Sequence, residues 1–113
     1  MFTLSSSNRF YFYRSPTDMR KGFDSLSGLV RSKLKSDPTN GNVYVFMNKN
    51  RTLLKLLHWE TGGFTLYYKR LEKGVFEHPK GENSRGITWQ DLVLMVEGIQ
   101  LSSVRKKVRY KRK

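Results

Sequence analysis

The chain has 113 residues, 37% hydrophobic and 13% aromatic, which fits one domain with a packed core and argues against a disordered chain. Its 22 lysines and arginines against nine aspartates and glutamates give a formal net charge of +13, which favours polyanionic partners such as nucleic acid or an acidic membrane surface. Cysteine is absent, which excludes disulfides and thiolate metal sites, and no apolar run approaches the roughly 20 residues that span a bilayer, so we expect a soluble cytoplasmic protein.

A strand and a helix are predicted first. The aromatic segment RFYFYR at 9–14 favours a short strand. A helix should follow, because Ser15 can act as its N-cap and Asp18 completes a capping box, and the segment SDPTNG should end it near Lys35. Spacings of three and four residues predict one apolar stripe along this helix, formed by Met19, Phe23, Leu26, Leu29, Val30 and Leu34.

Four further strands are predicted between this helix and a polar loop. They are rich in β-branched and aromatic residues, and only short polar turns separate them. Turns of this length permit hairpins and leave no room for parallel crossovers, so the expected sheet is an antiparallel meander. The segments lie at 42–47, 52–59, 64–71 and 75–78.

A second helix is predicted after the loop. Thr88 and Asp91 form another capping box, and Gly98 marks the expected C-terminal end of the helix. Both helices are amphipathic and need an apolar surface to pack against. The predicted fold is therefore α+β, a single domain over residues 1–104 in which an antiparallel β-meander sheet is packed on one face against the two helices.

The most basic segment is RKKVRYKRK at 105–113, which should repel itself and remain disordered when unbound. One interpretation of such a run is a solvated tail. The other is contact with nucleic-acid phosphates, with Tyr110 available to stack on an exposed base. The candidate binding residues in this tail are Arg105, Lys106, Lys107, Arg109, Lys111, Arg112 and Lys113.

Two other basic groups are candidates for phosphate contact. Arg20 and Lys21 fall on the first turn of the predicted first helix, where they would strengthen an anion site, unless Asp18 neutralises them. A second group lies on the strands and turns, and the alternation of side chains allows only a subset of it to share one face. Its cations are Lys49, Arg51, Lys55, Lys69, Arg70 and Lys73, and its aromatic residues, either stacking surfaces or core, are Trp59, Tyr67 and Tyr68.

The sequence favours no catalytic site, no metal site and no cofactor. His58 and His78 are the only histidines, and the nine acidic residues are scattered among turns and helix caps. The sequence contains no P-loop, dinucleotide fingerprint or nucleophile elbow. We therefore expect a protein that is not an enzyme.

Three segments carry a family resemblance: TDMRKGFDSL at 17–26, VFMNKNRTLLKLLHWETGGFTLYYKRLEKGVF at 45–76 and LVLMVEGI at 92–99. With them the chain resembles the small accessory transposition protein of the insertion sequence 66 (IS 66) group, called TnpB or the second open reading frame protein of those elements. The sequence departs from the usual pattern at Glu60, where Asp is common after the Trp, and at His78, where Trp often precedes the Pro.

The resemblance implies a non-catalytic role in transposition, beside a separate protein that carries out strand transfer. The implied partners are DNA of the transposon ends or the target, and the transposase, so the protein would be nucleoid-associated when bound to DNA. The matching cations are Arg20, Lys21, Arg51, Lys55, Lys69 and Arg70. Two alternatives stay open: an adaptor that grips the transposase without touching DNA, and a metal-dependent nuclease, which the scattered acids disfavour.

If about five of the C-terminal cations pair with phosphates, the affinity for DNA should fall roughly 500-fold between 50 and 200 mM salt, because each pair releases condensed counterions. Fluorescence anisotropy of a labelled DNA duplex, titrated with the protein across that salt range, measures this dependence. An affinity that does not change with salt would contradict an electrostatic contact.

Overall fold

The computed structural model of the protein describes residues 4–79 and 86–97. In chain order the elements are β1 (Phe10–Phe12), α1 (Phe23–Ser32), β2 (Val43–Met47), β3 (Leu53–Glu60), β4 (Gly63–Arg70), β5 (Gly86–Ile87) and α2 (Trp89–Val96). Neither of these two helices is long and apolar enough to cross a membrane. The predicted tail at 105–113 and the expected helix end at Gly98 lie outside the described residues.

The strands form one mixed sheet in the order β4-β3-β2-β1-β5. The antiparallel meander predicted for β2, β3 and β4 is confirmed, whereas β1 lies parallel to β2 and antiparallel to β5. A parallel pair is possible there because the chain between β1 and β2 is long enough for a crossover, and α1 lies in that crossover. The α+β class is confirmed, with a sheet that is mixed instead of wholly antiparallel.

The segment at 75–78, predicted as a strand, has no strand pairing. Phe76 is fully buried, and its N–H donates to the carbonyl oxygen of Arg51 at 2.6 Å. The last strand is instead β5, whose Ile87 pairs with Phe10 of β1. The apolar pattern at 75–78 thus reflects the buried side chain of Phe76 and not a strand.

The two helices cover opposite faces of the sheet, which corrects the expectation that both lie on one face. Val43, Val45 and Met47 point into the apolar cluster that contains α2, and Tyr44 and Phe46 point into the cluster that contains α1. All five residues of β2 are buried. A strand that is apolar at every position must be covered on both faces, so one helix is needed on each side.

The helix α1 begins at Phe23, so the predicted start at Ser15 is wrong. The N–H of Thr17 donates to the carbonyl oxygen of Met47 at 2.8 Å, which continues the backbone bonding to β2 past the end of β1. This tertiary hydrogen bond holds the segment extended where the local capping signal favoured helix. The two candidate cations at 20 and 21 therefore precede the helix and do not lie on its first turn.

The end of α1 and the start of α2 agree with the sequence. The helix α1 ends at Ser32, close to the predicted Lys35, whose φ of 54° lies in the left-handed region that stops a helix. The helix α2 starts as predicted, because the side-chain oxygen of Thr88 accepts a hydrogen bond from the N–H of Asp91 at 3.1 Å.

The turn between β3 and β4 contains a residue with a strained backbone. Its two residues, Thr61 and Gly62, have φ of 47° and 79°, as in a type I′ turn, which prefers Asn-Gly. Because a β-branched residue is strained at positive φ, Thr61→Asn should raise the free energy of unfolding by about 1 kcal/mol. Urea denaturation followed by circular dichroism measures the change.

The matched control is Gly62→Ala in the same turn. A Cβ at Gly62 would meet no atom within 4 Å, so only the backbone conformation opposes it. This variant should lose about 1 kcal/mol of stability. An unchanged or lowered stability of Thr61→Asn would contradict the strain at this turn.

Candidate nucleic-acid interface

An open groove of about 560 Å³ separates the chain leading into α1 from the turn between β2 and β3. Residues 16–20 line one side of it, residues 48–50 line the other, and Leu53 and Tyr68 complete the lining. Among the described residues its charged side chains are Arg20 and Asp18 from one segment and Lys49 from a segment far away in the sequence. The fold therefore gathers a cationic and aromatic surface at this end of the sheet.

Asp18 fixes the turn on the first side of the groove. One of its carboxylate oxygens accepts the N–H of Arg20 at 2.9 Å, and its carbonyl oxygen accepts the N–H of Lys21 at 3.1 Å. The guanidinium of Arg20 folds back onto the same carboxylate, with Nη2 at 2.6 Å from Oδ2. The side-chain and backbone hydrogen bonds from Arg20 lower the pKa of Asp18 to about 2, so this acid is ionised at neutral pH.

Arg20 remains accessible despite this pairing, since 91% of its side chain is exposed. A fully solvated ion pair is weak, because water screens the attraction and two flexible side chains must be held in place. A phosphate can therefore compete with Asp18 for Arg20. The neutralisation by Asp18 that the sequence left open is present, but it does not remove Arg20 from the surface.

Lys55 is buried, with 6% of its surface exposed. Its ammonium donates to the carbonyl oxygens of Met19 and Lys21, both at 2.8 Å. These bonds fasten the turn at 18–21 to the middle of β3. Lys55 is thus a structural anchor for the groove, and we leave it out of the proposed phosphate-binding surface.

Tyr68 lies directly across from Lys55 on the neighbouring strand β4. The ammonium of Lys55 sits over the tyrosine ring, 4.6 Å from its centroid, and 52% of Tyr68 is exposed. The other two aromatic candidates are less available. Trp59 is half-buried against Phe64, and Tyr67 packs against the core on the α2 face, where burial raises the pKa of its hydroxyl.

The two predicted cations of β4, Lys69 and Arg70, lie on opposite faces of the sheet. Arg70 flanks the groove, since it pairs across the sheet with Leu53, and its guanidinium donates to Glu72 at 2.8 Å in an exposed ion pair. Lys69 points to the opposite face and donates to the carbonyl oxygen of Val96 at 2.6 Å, at the end of α2. The fold therefore separates Lys69 from the groove, and the seven cations of the tail lie outside the described residues.

Arg51 belongs to a second cluster that the sequence did not reveal. Burial lowers the pKa of His78, and the nearby charges of Arg51 and Arg14 lower it further. Arg14 lies 5.6 Å from the ring centroid of Phe12, against which the ring of His78 packs edge-on. This cluster joins β1 to the segment after β4 and is partly buried, so it is a poorer phosphate site than the groove.

Asn48 is a further residue that shapes the groove and is not among the predicted site residues, although Asn in a turn such as NKNR often bonds to the backbone. Its side-chain oxygen accepts the N–H groups of Thr52 and Leu53, each at 2.9 Å, and its amide donates to the hydroxyl of Thr52 at 3.1 Å. Asn48 thereby closes the turn between β2 and β3 with side-chain bonds. This closed turn holds Lys49 at the edge of the groove.

On β3 the side chains of His58 and Glu60 lie beside each other. His58 is buried, and its Nδ1 lies 3.4 Å from a carboxylate oxygen of Glu60, whose other oxygen accepts the hydroxyl of Thr65. Over residues 4–79 and 86–97, no three His, Asp or Glu side chains come together in a group that could hold a metal ion.

One family profile and two relatives match the chain. The sequence profile of the family described as "IS66 Orf2 like protein" matches residues 8–106. Uncharacterized protein y4hO of Sinorhizobium fredii (strain NBRC 101917 / NGR234) is 36% identical over 100 residues, which cover 88% of this chain and 87% of the relative. Uncharacterized protein y4jC of the same strain is 32% identical over 93 residues, which cover 81% and 80%. No solved structure matches the chain.

The anchoring role of Lys55 can be tested by Lys55→Met. The variant keeps an unbranched side chain one atom shorter but leaves the carbonyls of Met19 and Lys21 without their donor, so it should lower the free energy of unfolding by about 2 kcal/mol. Urea denaturation measures the loss. The control Lys49→Met, at an exposed position of the same groove, should change stability by less than about 0.5 kcal/mol. Equal stabilities of the two variants would refute the anchor.

Proposed function

The chain belongs to the family of IS66 Orf2-like proteins, and from this membership we propose that it is a non-catalytic accessory protein of transposition that binds DNA. Its partners would be DNA of the transposon ends or the target, and the transposase of the same element. Strand-transfer chemistry would be left to that other protein. The membership itself places the chain among accessory proteins of transposition, and the binding of DNA is the added step.

The observation that carries this proposal is the convergence of Arg20, Lys49 and Tyr68 on one open groove. Cations that pair with phosphates supply most of the affinity for DNA, and exposed aromatic rings add contacts to bases. The three residues lie on three different elements of the sequence. Their meeting is a property of the fold, and it gives phosphate a defined place to bind.

The sides of the groove are held in place before any ligand arrives. Lys55 ties one side to β3, and Asn48 closes the turn that forms the other. A site whose side chains are already positioned loses less conformational entropy on binding. This rigidity supports a binding role for the groove more strongly than the presence of cations alone.

The tail at 105–113 would add a second, less specific contact. Its seven cations are more than half of the net charge of +13, and none of its residues is acidic. Such a run attracts DNA over a distance of about one Debye length, roughly 8–10 Å at physiological salt. We propose that the tail raises the overall affinity and that the groove fixes where the folded domain sits on the DNA.

The adaptor function has one observation in its favour. In the described part of the chain β4 forms one edge of the sheet, and an eight-residue edge strand presents backbone groups to which a partner strand can pair. Co-purification of the chain with the transposase after nuclease treatment would support the adaptor. Loss of the association on nuclease treatment would favour a complex that DNA holds together.

The double variant Arg20→Gln/Lys49→Gln tests the groove. It should weaken the binding of DNA and reduce the slope of log K against log salt by about 2, because each phosphate contact contributes about 1. The control Arg31→Gln/Lys33→Gln removes the same charge from the far end of α1 and should leave the slope nearly unchanged. Fluorescence anisotropy between 50 and 200 mM salt gives both slopes.

Asp18→Asn provides a check of opposite sign. The asparagine can still accept the N–H of Arg20, but the variant removes the one acid that lines the groove, so binding should tighten. Equal weakening by both double variants would show that the groove is not the site. A mobility-shift assay in which about 1 µM protein shifts neither duplex nor single-stranded DNA at 50 mM salt would overturn direct binding altogether.

A further inference from the structure

We propose that the groove takes an unpaired nucleotide, with its base stacked on Tyr68 and its phosphate between Arg20 and Lys49, so that the protein prefers single-stranded or unpaired DNA to a regular duplex. This inference rests on the proposed function, because it names the form of DNA that the same groove recognises. The residues that carry it are Tyr68, its partner Lys55 and the two cations that line the same groove.

Tyr68 is an exposed aromatic residue on β4, an edge strand of the sheet. In residues 4–79 and 86–97, Phe23 and Tyr68 are the large hydrophobic side chains that are exposed, and Tyr68 alone of the two lines the groove. The helix α1 covers the same face of the sheet but begins at Phe23 and packs on Tyr44, Phe46 and Leu57, so the ring of Tyr68 stays uncovered. An exposed aromatic ring on a rigid strand is a stacking platform.

Lys55 fixes the orientation of this ring. Its ammonium lies 4.6 Å from the ring centroid and is itself held by two backbone carbonyl oxygens, so the cation cannot swing away. A cation over an aromatic face is attracted by the ring quadrupole and restrains the ring. The platform is therefore formed in the free protein, and stacking a base on it requires little ordering of the side chain.

The geometry selects against a paired base. Inside a duplex each base is already stacked on its neighbours, so reaching Tyr68 would require flipping the base out, at a cost of a few kcal/mol. An unpaired base has a free face and avoids this cost. The groove volume of about 560 Å³ lies in the range of sites that hold one small molecule. Its open shape lets the strand continue on either side.

The charges of the groove complete the nucleotide site. Arg20 and Lys49 both line the groove that Tyr68 lines, so a phosphate attached to the stacked nucleotide would meet a cationic lining. Asp18 is ionised because its pKa is about 2, so a phosphate on Arg20 must displace this carboxylate. Among the described residues two cations and one acid line the groove, a lining that suits a single phosphate better than a run of them.

Fluorescence anisotropy with a labelled single strand of mixed sequence and with the matching duplex, at the same salt, tests the inference. The full chain should bind the single strand at least about 5-fold more tightly than the duplex, and Tyr68→Ala should lose about 5- to 150-fold on the single strand, the usual effect of removing one stacked ring. Tyr68→Ala should change duplex affinity little. The salt slope should also be unchanged, since stacking releases no counterions.

Three variants separate stacking from damage to the fold. Tyr68→Phe keeps the ring and should retain the single-strand affinity, whereas Phe23→Ala removes an exposed ring outside the groove lining and should have no effect. Tyr68→Trp should bind at least as tightly as the original chain, and its added indole fluorescence should be quenched by the single strand but not by the duplex. Quenching that is equal for both would overturn the preference.

The outcomes also separate this inference from the function on which it rests. Equal affinity for single strand and duplex, with no effect of Tyr68→Ala, would overturn the proposal that the groove binds an unpaired nucleotide. It would leave the proposal of DNA binding by Arg20 and Lys49 intact. Failure of the full chain to bind either form of DNA would overturn both proposals.

Discussion

The arrangement of the groove depends on one buried ammonium. Lys55 projects from the middle of β3 onto the α1 face, and its two bonds to the carbonyl oxygens of Met19 and Lys21 attach the segment before α1 to the sheet. A buried cation needs such acceptors, because leaving it unpaired in an apolar environment is very costly. From this contact follow the position of the turn that carries Arg20 and the orientation of Tyr68.

The charges of this protein have two physical roles, and the fold separates them. The lysines at 55 and 69 lie on adjacent strands, point to opposite faces, and each donates to backbone carbonyls of the segment that packs there. The cations at 20 and 49 remain exposed beside the groove. A net charge of +13 therefore overstates the charge available at the surface, and burial identifies which cations a phosphate can reach.

The proposals give the two basic regions different parts of one task in transposition. The basic run at 105–113 would hold DNA near the protein by charge, while the groove would select one nucleotide in one orientation. Phosphate contacts supply affinity and base contacts supply selection, so the two regions complement each other. Membership of the IS66 Orf2-like family gives this proposed division a setting in transposition.

The sequence by itself determined the α+β class, the meander of β2 to β4, the capped start of α2 and the family. Each of these is encoded within short segments, by local periodicity, turn residues or sequence motifs. The tertiary structure alone decided the parallel pairing of β1, the late start of α1 and the burial of Lys55. Each of these depends on a hydrogen bond between residues far apart in the chain, such as that from Thr17 to Met47. Local propensity cannot report such bonds, since the acceptor is supplied by a segment that only folding brings near.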